Sequence, residues 1–435
     1  MATVLALTIF FLTVSLALFR PRLGRFRIQP SGAAILGSVL VVAVGVLPLS
    51  RVAAALSFIA LPILTIVSLM VITIIADRSG FFRYLAWNIA RSAGGSGRRL
   101  FTFLFFSGTV VGTFFTNDAA VLIFTPLVYQ LIEEIDDGSW TIANKIPYYF
   151  AVLYVANLVG GLVISNPINI MVSSWFSIGF LTYASWMMLP ALVSMVATYA
   201  ALLYIFRNAI PDKYQVPAES PVLEAPKQFV IMSSVVLGLT LIGFFTEQLT
   251  GIPTSYVAFT GAVVLLILNS IYSEDSPILV GKAIGWNAII FVVGIFLVTN
   301  GLRETGLTEA LGTIILGAVD QSLSLGIFVT GIVAAGASAV MNNHPTAWIM
   351  ALTLQDLALG ELTTRTLAFA ALIGGDLGPK MLPIGSLAAL MWFQILRERG
   401  VEISYWQYIK IGVPVTLISL LLSLLMLALE YALVN

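Results

Sequence analysis

Cysteine is absent from the 435 residues, and histidine occurs once, as His344. The first absence removes disulfides, thiolate metal sites and cysteine nucleophiles together. The second rules out a multi-histidine metal centre within one chain. Charge is scarce as well. Charged residues make up 10% of the chain, against roughly 25% in soluble domains, and 21 basic residues balance 21 acidic ones. No basic surplus points to nucleic acid. No G-x-x-x-x-G-K-[ST] loop occurs, so the chain alone is not an ATP-driven pump. What abounds is apolar: 59% of the residues are hydrophobic and the mean hydropathy is +1.01. A soluble fold cannot hide that much apolar surface. The composition is that of a polytopic membrane protein, whose function lies in its few polar residues at membrane depth.

A spanning helix needs roughly 20 predominantly apolar residues. Such segments run near 2–19, 32–49, 53–77, 99–131, 146–164 and 180–206, then near 228–248, 253–272, 287–302, 322–357, 364–384 and 407–432. The two longest are interrupted. The list repeats with an offset of about 225 residues: three helices, an amphipathic stretch (80–95, then 306–320), an interrupted segment, a helix with a polar break, a closing helix. This divides the chain into a first membrane repeat, 1–206, a cytoplasmic linker rich in Pro and charge, 207–227, and a second repeat, 228–435. If both interrupted segments are re-entrant hairpins, seventeen Lys and Arg residues fall on the cytoplasmic side. Arg51, Arg303 and Arg365 fall outside, and Lys380 within the membrane. Full crossings would spread the charges more evenly, so the positive-inside rule favours hairpins. Five crossings per half then give the halves opposite orientation, as in many secondary transporters. The expected fold is an all-α polytopic membrane protein of two inverted structural repeats. Each repeat has a re-entrant helical hairpin and a broken helix, for about ten crossings plus two hairpins. The expected location is the bacterial inner membrane, with both termini outside the cytoplasm.

The polar residues gather at the interruptions. The first reads Thr116-Asn117-Asp118 and the second Asn342-Asn343-His344-Pro345. Asn117 and Asp118 suit the start of a new helix, and Pro345 suits an early helix position. The second breaks read Ser165-Asn166-Pro167-Ile168-Asn169 and Pro383-Ile384-Gly385-Ser386, the latter preceded by Gly375-Asp376-Leu377-Gly378-Pro379-Lys380. Asn157 matches Asp376 across the halves. Broken helices present half-helix ends and loose carbonyls to a substrate. Plainer roles compete. Asp118 can serve as a cap alone. Asp376 and Lys380, four apart, can form a structural pair. His344 can merely hydrogen-bond, and the asparagines can act as interhelical glue.

Thr116-Asn117-Asp118-Ala119-Ala120-Val121-Leu122 through Thr125-Pro126 resembles the N-D-x-A-x-L-x-x-T-P signature of the arsenite efflux permeases (ArsB type). Asn342-Asn343-His344-Pro345-Thr346 is similar to their N-N-x-P-T, and 375–388 to their G-x-D-L-G-P-x-x-x-P-I-G-S-L-A. The resemblance covers essentially the whole chain. It departs at Pro167, where the family pattern has Leu, and at Lys380, where the pattern is uncharged. It implies export of trivalent arsenic, and of antimony, from the cytoplasm in exchange for protons, alone or with a soluble ATPase subunit. No cofactor is implied. Arsenous acid, As(OH)3, is a small neutral polyol-like solute, which amides and hydroxyls hold loosely. The expected substrate ligands are Asn117, Asn166, Asn342, Asn343 and Ser386, with Thr116 and Ser165 beside them. Asp118 is the first expected proton carrier and Asp376 the second, with Lys380 setting its charge state and His344 a further candidate. The rival readings are a sodium/proton antiporter of the same superfamily, an anion carrier held by Lys380 and half-helix ends, and a passive membrane subunit for an ATPase. No nucleophile–base set marks an enzyme.

Overall fold

The computed structural model describes residues 2–23, 26–115, 117–155, 158–217, 226–273, 276–303 and 305–434, and within them every side chain except those at 2, 23, 26, 117–119, 227 and 387. The chain is almost entirely helical. The first half forms α1 (Ala2–Phe19), α2 (Pro30–Ala43), α3 (Leu49–Arg78), α4 (Phe81–Ser92), α5 (Gly97–Phe114), α6 (Asn117–Ile135), α7 (Ile142–Val155), α8 (Pro167–Trp175) and α9 (Phe180–Phe206). After the linker come α10 (Lys227–Phe245), the single turn α11 (Glu247–Thr250), α12 (Thr254–Tyr272), α13 (Pro277–Ala283), α14 (Trp286–Asn300) and α15 (Leu307–Val319). The chain closes with α16 (Leu323–Met341), α17 (Asn343–Asp356), α18 (Glu361–Leu377), α19 (Leu387–Glu398) and α20 (Tyr405–Val434). A two-residue ribbon, Arg22–Leu23 against Phe26–Arg27, is the one sheet among the described residues.

Helix is the only cheap way to carry backbone through hydrocarbon, because its polar groups are satisfied within the segment. Six described helices are long and apolar enough to cross a membrane alone: α3, α9, α10, α12, α16 and α20. The pair α13–α14 also qualifies as one span, bent by 51°. The other apolar segments are carried by shorter helices or by helices that stop at the polar breaks. The amphipathic stretches become α4 and α15, each opened by a left-handed glycine, Gly80 and Gly306. The first interrupted segment splits between α5 and α6. The second splits at Asn342, whose φ of 79° ends α16 and lets α17 start.

The packing separates the helices into two groups. Helices α1, α2, α3, α10, α12 and α14 lie mainly on one another, while α5–α9 and α16–α20 form the other group. Within the second group α18 lies hard against α16. A Cβ on Gly374 would stand 2.1 Å from the Gly331 carbonyl oxygen, and one on Gly378 would stand 2.3 Å from that of Ala335. Small residues at such contacts let membrane helices approach backbone to backbone. The closing helices of the two halves, α9 and α20, run antiparallel. Ser423 Oγ donates to the Pro190 carbonyl at 3.2 Å near one end. Near the other, Phe150 touches the rings of both Phe206 and Tyr408.

Candidate functional site

Two short 3-10 turns occupy corresponding places in the halves, Val163–Ser165 and Pro383–Gly385. Each is followed by an extended capping residue. Asn166 (φ −145°) accepts through Oδ1 from the Ile168 N–H at 3.2 Å and opens α8, with Pro167 at its first position. Ser386 (φ −125°) accepts from the Ala389 N–H at 3.0 Å and opens α19. Both side chains answer backbone donors that a helix start leaves free. The breaks are therefore capped helix starts buried in the helical core.

The first break reaches across to the second half. Asp376, in the last turn of α18, is completely buried. Its carboxylate accepts from Asn166 Nδ2 at 2.6 Å, the Gly160 N–H at 3.1 Å and Asn169 Nδ2 at 3.4 Å. Asn166 is thus both cap and cross-half donor. Ser165 Oγ donates to the Leu162 carbonyl at 2.7 Å and accepts from Asn169 Nδ2 at 3.4 Å. Tyr183 Oη donates to the Gly160 carbonyl at 3.0 Å, fixing that residue from α9. Gly160 admits no side chain, since a Cβ there would fall 2.1 Å from Ser165 Oγ and 2.3 Å from Asn169 Nδ2. A cavity of about 60 Å³ adjoins this cluster, lined by Gly160, Ser165, Thr109 and Thr113 among others. That is room for several waters, at about 10–15 Å³ each.

The second-half interruption is built the same way. Asn342 Oδ1 accepts from the His344 N–H at 3.1 Å, and its Nδ2 donates to the Gly385 carbonyl at 3.1 Å, tying α17 to the neighbouring break. Thr346 Oγ1 donates to the Asn342 carbonyl at 2.8 Å. Ser338, one turn earlier, donates to the Gly375 carbonyl at 2.9 Å, beside Asp376. Asn343 is half-buried. The buried His344 ring stands edge-on to Phe291, centroids 5.9 Å apart, and its Nδ1 has no hydrogen-bond partner.

Lys380 makes no hydrogen bond to Asp376, although the two charges attract at longer range. Helix α18 ends at Leu377, so Lys380 lies in the following 3-10 turn, Gly378–Lys380, off the helical register that an i,i+4 pair needs. Its buried ammonium has no hydrogen-bond partner and sits 5.2 Å over the Tyr154 ring. The structure therefore brings together Ser165, Asn166 and Asp376, and joins Asn342 to the break that ends at Ser386. It adds Asn169, Gly160, Tyr183 and Ser338, which sequence reasoning did not single out as site residues. Asn169, one helical turn after Asn166, was the visible signal for the first of these. Thr116 and Asn157, together with the side chains of Asn117 and Asp118, lie outside the described residues.

Comparison with known proteins agrees with this architecture. The chain matches the family described as "Arsenical pump membrane protein" (ArsB) over residues 5–431. It is 33% identical over 432 residues to an "Arsenical pump membrane protein" of Escherichia coli, with 98% of each chain covered. It is 26% identical to a "Putative arsenical pump membrane protein" of Bacillus subtilis, covering 95% of this chain and 97% of the other. Among solved structures it is similar to the Alcanivorax borkumensis YdaH transporter, at a TM-score of 0.61 and 12% identity, covering 99% and 98% of the two chains; that likeness is one of fold. The chain belongs to the arsenical pump membrane protein family.

Proposed function

We propose that the protein exports arsenite, and antimonite, from the bacterial cytoplasm in exchange for protons, by alternating access. Family membership supports arsenic efflux. The observation that carries the coupling is the fully buried Asp376 carboxylate, held by donors from the first half's break. An ionised carboxylate only accepts hydrogen bonds, whereas a protonated one also donates. The hydroxyls of As(OH)3 can replace the amide donors on the ionised acid. Protonation neutralises the carboxylate and turns one of its two oxygens into a donor, which weakens its hold on those hydroxyls, so substrate and proton compete for one place. Competition of that kind makes an exchanger.

In this reading Asn166, Asn342, Asn343 and Ser386, with Asn117, Thr116 and Ser165, supply loose hydrogen bonds to the substrate. Asp118 and Asp376 carry the proton. Lys380 sets the charge balance of the site, and His344 is a further candidate. The repeats are 1–206 and 228–435, joined by 207–227, in opposite orientation. The antiparallel run of α9 against α20 supports that arrangement. The hairpin-bearing group, α5–α9 with α16–α20, moves against the other helices. The test is arsenite accumulation in liposomes under an imposed pH gradient. Uptake that an uncoupler abolishes supports proton exchange. Gradient-independent arsenite flux identifies a passive carrier, and sodium-driven pH recovery without arsenite flux identifies a sodium/proton antiporter.

A further inference from the structure

The start of α9 is held from outside its own half. Glu247 Oε2 accepts from the Phe180 N–H at 2.9 Å, and Glu247 Oε1 accepts from the Thr254 N–H at 3.0 Å. One carboxylate therefore caps α9 and α12 together. Neither helix has a cap of its own, since Gly179 and Pro253 supply no side-chain hydrogen bond there. A negative charge between two helix starts is favoured by both helix dipoles. The next residue joins in: Gln248 Nε2 donates to Thr182 Oγ1 at 2.9 Å. The Phe180 ring lies against Phe244 and Phe245, with centroids 5.5 and 5.0 Å away. The single turn α11 thus grips the first turn of α9.

The grip spans the two packing groups. Helix α9 lies along α20 in the hairpin-bearing group, whereas α10 and α12 lie with α3. Next to the grip the hairpin-bearing group leaves space that Gln248 borders from the other side. A cavity of about 540 Å³ opens there, lined by Thr182, Gln248, Gln355 and Arg365 among others. The clasp is small: two carboxylate hydrogen bonds, one amide contact and the Phe180 ring against Phe244 and Phe245, so its release parts only this one cluster.

We propose that Glu247, with Gln248, is a latch that holds the hairpin-bearing helices against the others in this conformation and lets go once per transport cycle. This rests on the alternating-access reading. The natural chain has no cysteine, so a Thr182→Cys/Gln248→Cys pair carries the only thiols. The reduced pair variant, in liposomes, transports arsenite. Oxidation to the cross-linked form, confirmed by gel mobility, lowers the flux at least tenfold, and reductant restores it. Cross-linked protein that transports at the reduced rate overturns the latch, as does a pair that never cross-links. The second arm measures cross-linking rate alone. Adding Glu247→Gln slows it at least threefold if the carboxylate holds the grip, and an unchanged rate overturns that role. A reduced variant that cross-links with this Glu247 dependence but carries no arsenite contradicts the transport reading and leaves the latch standing.

Discussion

Removing the charge of Asp376 and removing that of Lys380 have opposite expected effects on stability, and the contrast follows from who touches whom. In Asp376→Asn the new amide keeps one acceptor oxygen, enough for Asn166 Nδ2, its shortest partner at 2.6 Å. The new N–H2 group faces Asn169, whose Oδ1 is buried without a partner. Turning the Asn169 amide over satisfies that pair. The Gly160 N–H is left with no acceptor, and one orphaned buried donor costs about 1–3 kcal/mol. Asp376→Ala orphans all three donors and costs more. Lys380→Met removes a buried ammonium that has no hydrogen-bond partner. It forfeits a cation–π contact to Tyr154, worth about 0.5–2 kcal/mol. It also relieves the burial of a charge that no hydrogen bond answers, which costs several kcal/mol and outweighs the lost longer-range attraction to Asp376. The expected order of heat stability in detergent is Lys380→Met equal to or above the parent, then Asp376→Asn, then Asp376→Ala. If the two charges instead formed a pair, removing either partner would cost about 3–5 kcal/mol. A Lys380→Met variant that falls as far as Asp376→Asn would therefore refute the reasoning.

Three further outcomes follow from local geometry. Gly374→Ala forces a Cβ to 2.1 Å from the Gly331 carbonyl, so α16 and α18 must separate; overpacking of this kind costs about 1–3 kcal/mol or more and is read as a lower melting temperature. At Asn342, with φ 79°, Gly costs less than Ala: loss of the cap costs about 0.5–2 kcal/mol for Ala but only a few tenths for Gly, and only Ala is strained in the left-handed region, so the melting temperatures should rank parent, Asn342→Gly, Asn342→Ala. In the loop after α6, burial alone would raise the Asp136 pKa, but the Lys145 ammonium at 3.0 Å and the Trp140 and Gly138 N–H groups leave it below the ordinary value. A depressed folded-state pKa adds stability above the unfolded value and loses it as pH falls through the folded one. Asp136→Asn should therefore lower the melting temperature at pH 7 by an amount that shrinks toward zero in acid.

Much of the architecture was legible because apolar runs and their interruptions are local. The breaks at Asn342, Val163–Ser165 and Pro383–Gly385 stand where Asn, Pro, Gly and Ser interrupt the apolar segments. The amphipathic stretches became α4 and α15. The partners of Asp376 were not legible, since Asn166, Asn169 and Gly160 come from the other half, more than 200 residues away. Spacing offered Lys380 instead, four residues on. That inference fails because the helix stops at Leu377, just before Gly378 and Pro379, a local stop signal that spacing alone ignores, and the following turn then sits tightly on α16. Glu247 was invisible because the helix it caps begins 67 residues earlier. Nothing in its neighbourhood indicates that it caps a helix of the first half.

The central claim is that arsenite and protons move in opposite directions through one site. It is tested most directly by recording arsenite entry and lumenal pH together in the same liposomes, with no imposed gradient and arsenite added outside. The account predicts that arsenite entry acidifies the outer medium and alkalinises the lumen in proportion to the arsenite carried, and that Asp376→Asn uncouples or abolishes the two signals together. Arsenite entry with no change in lumenal pH would contradict it.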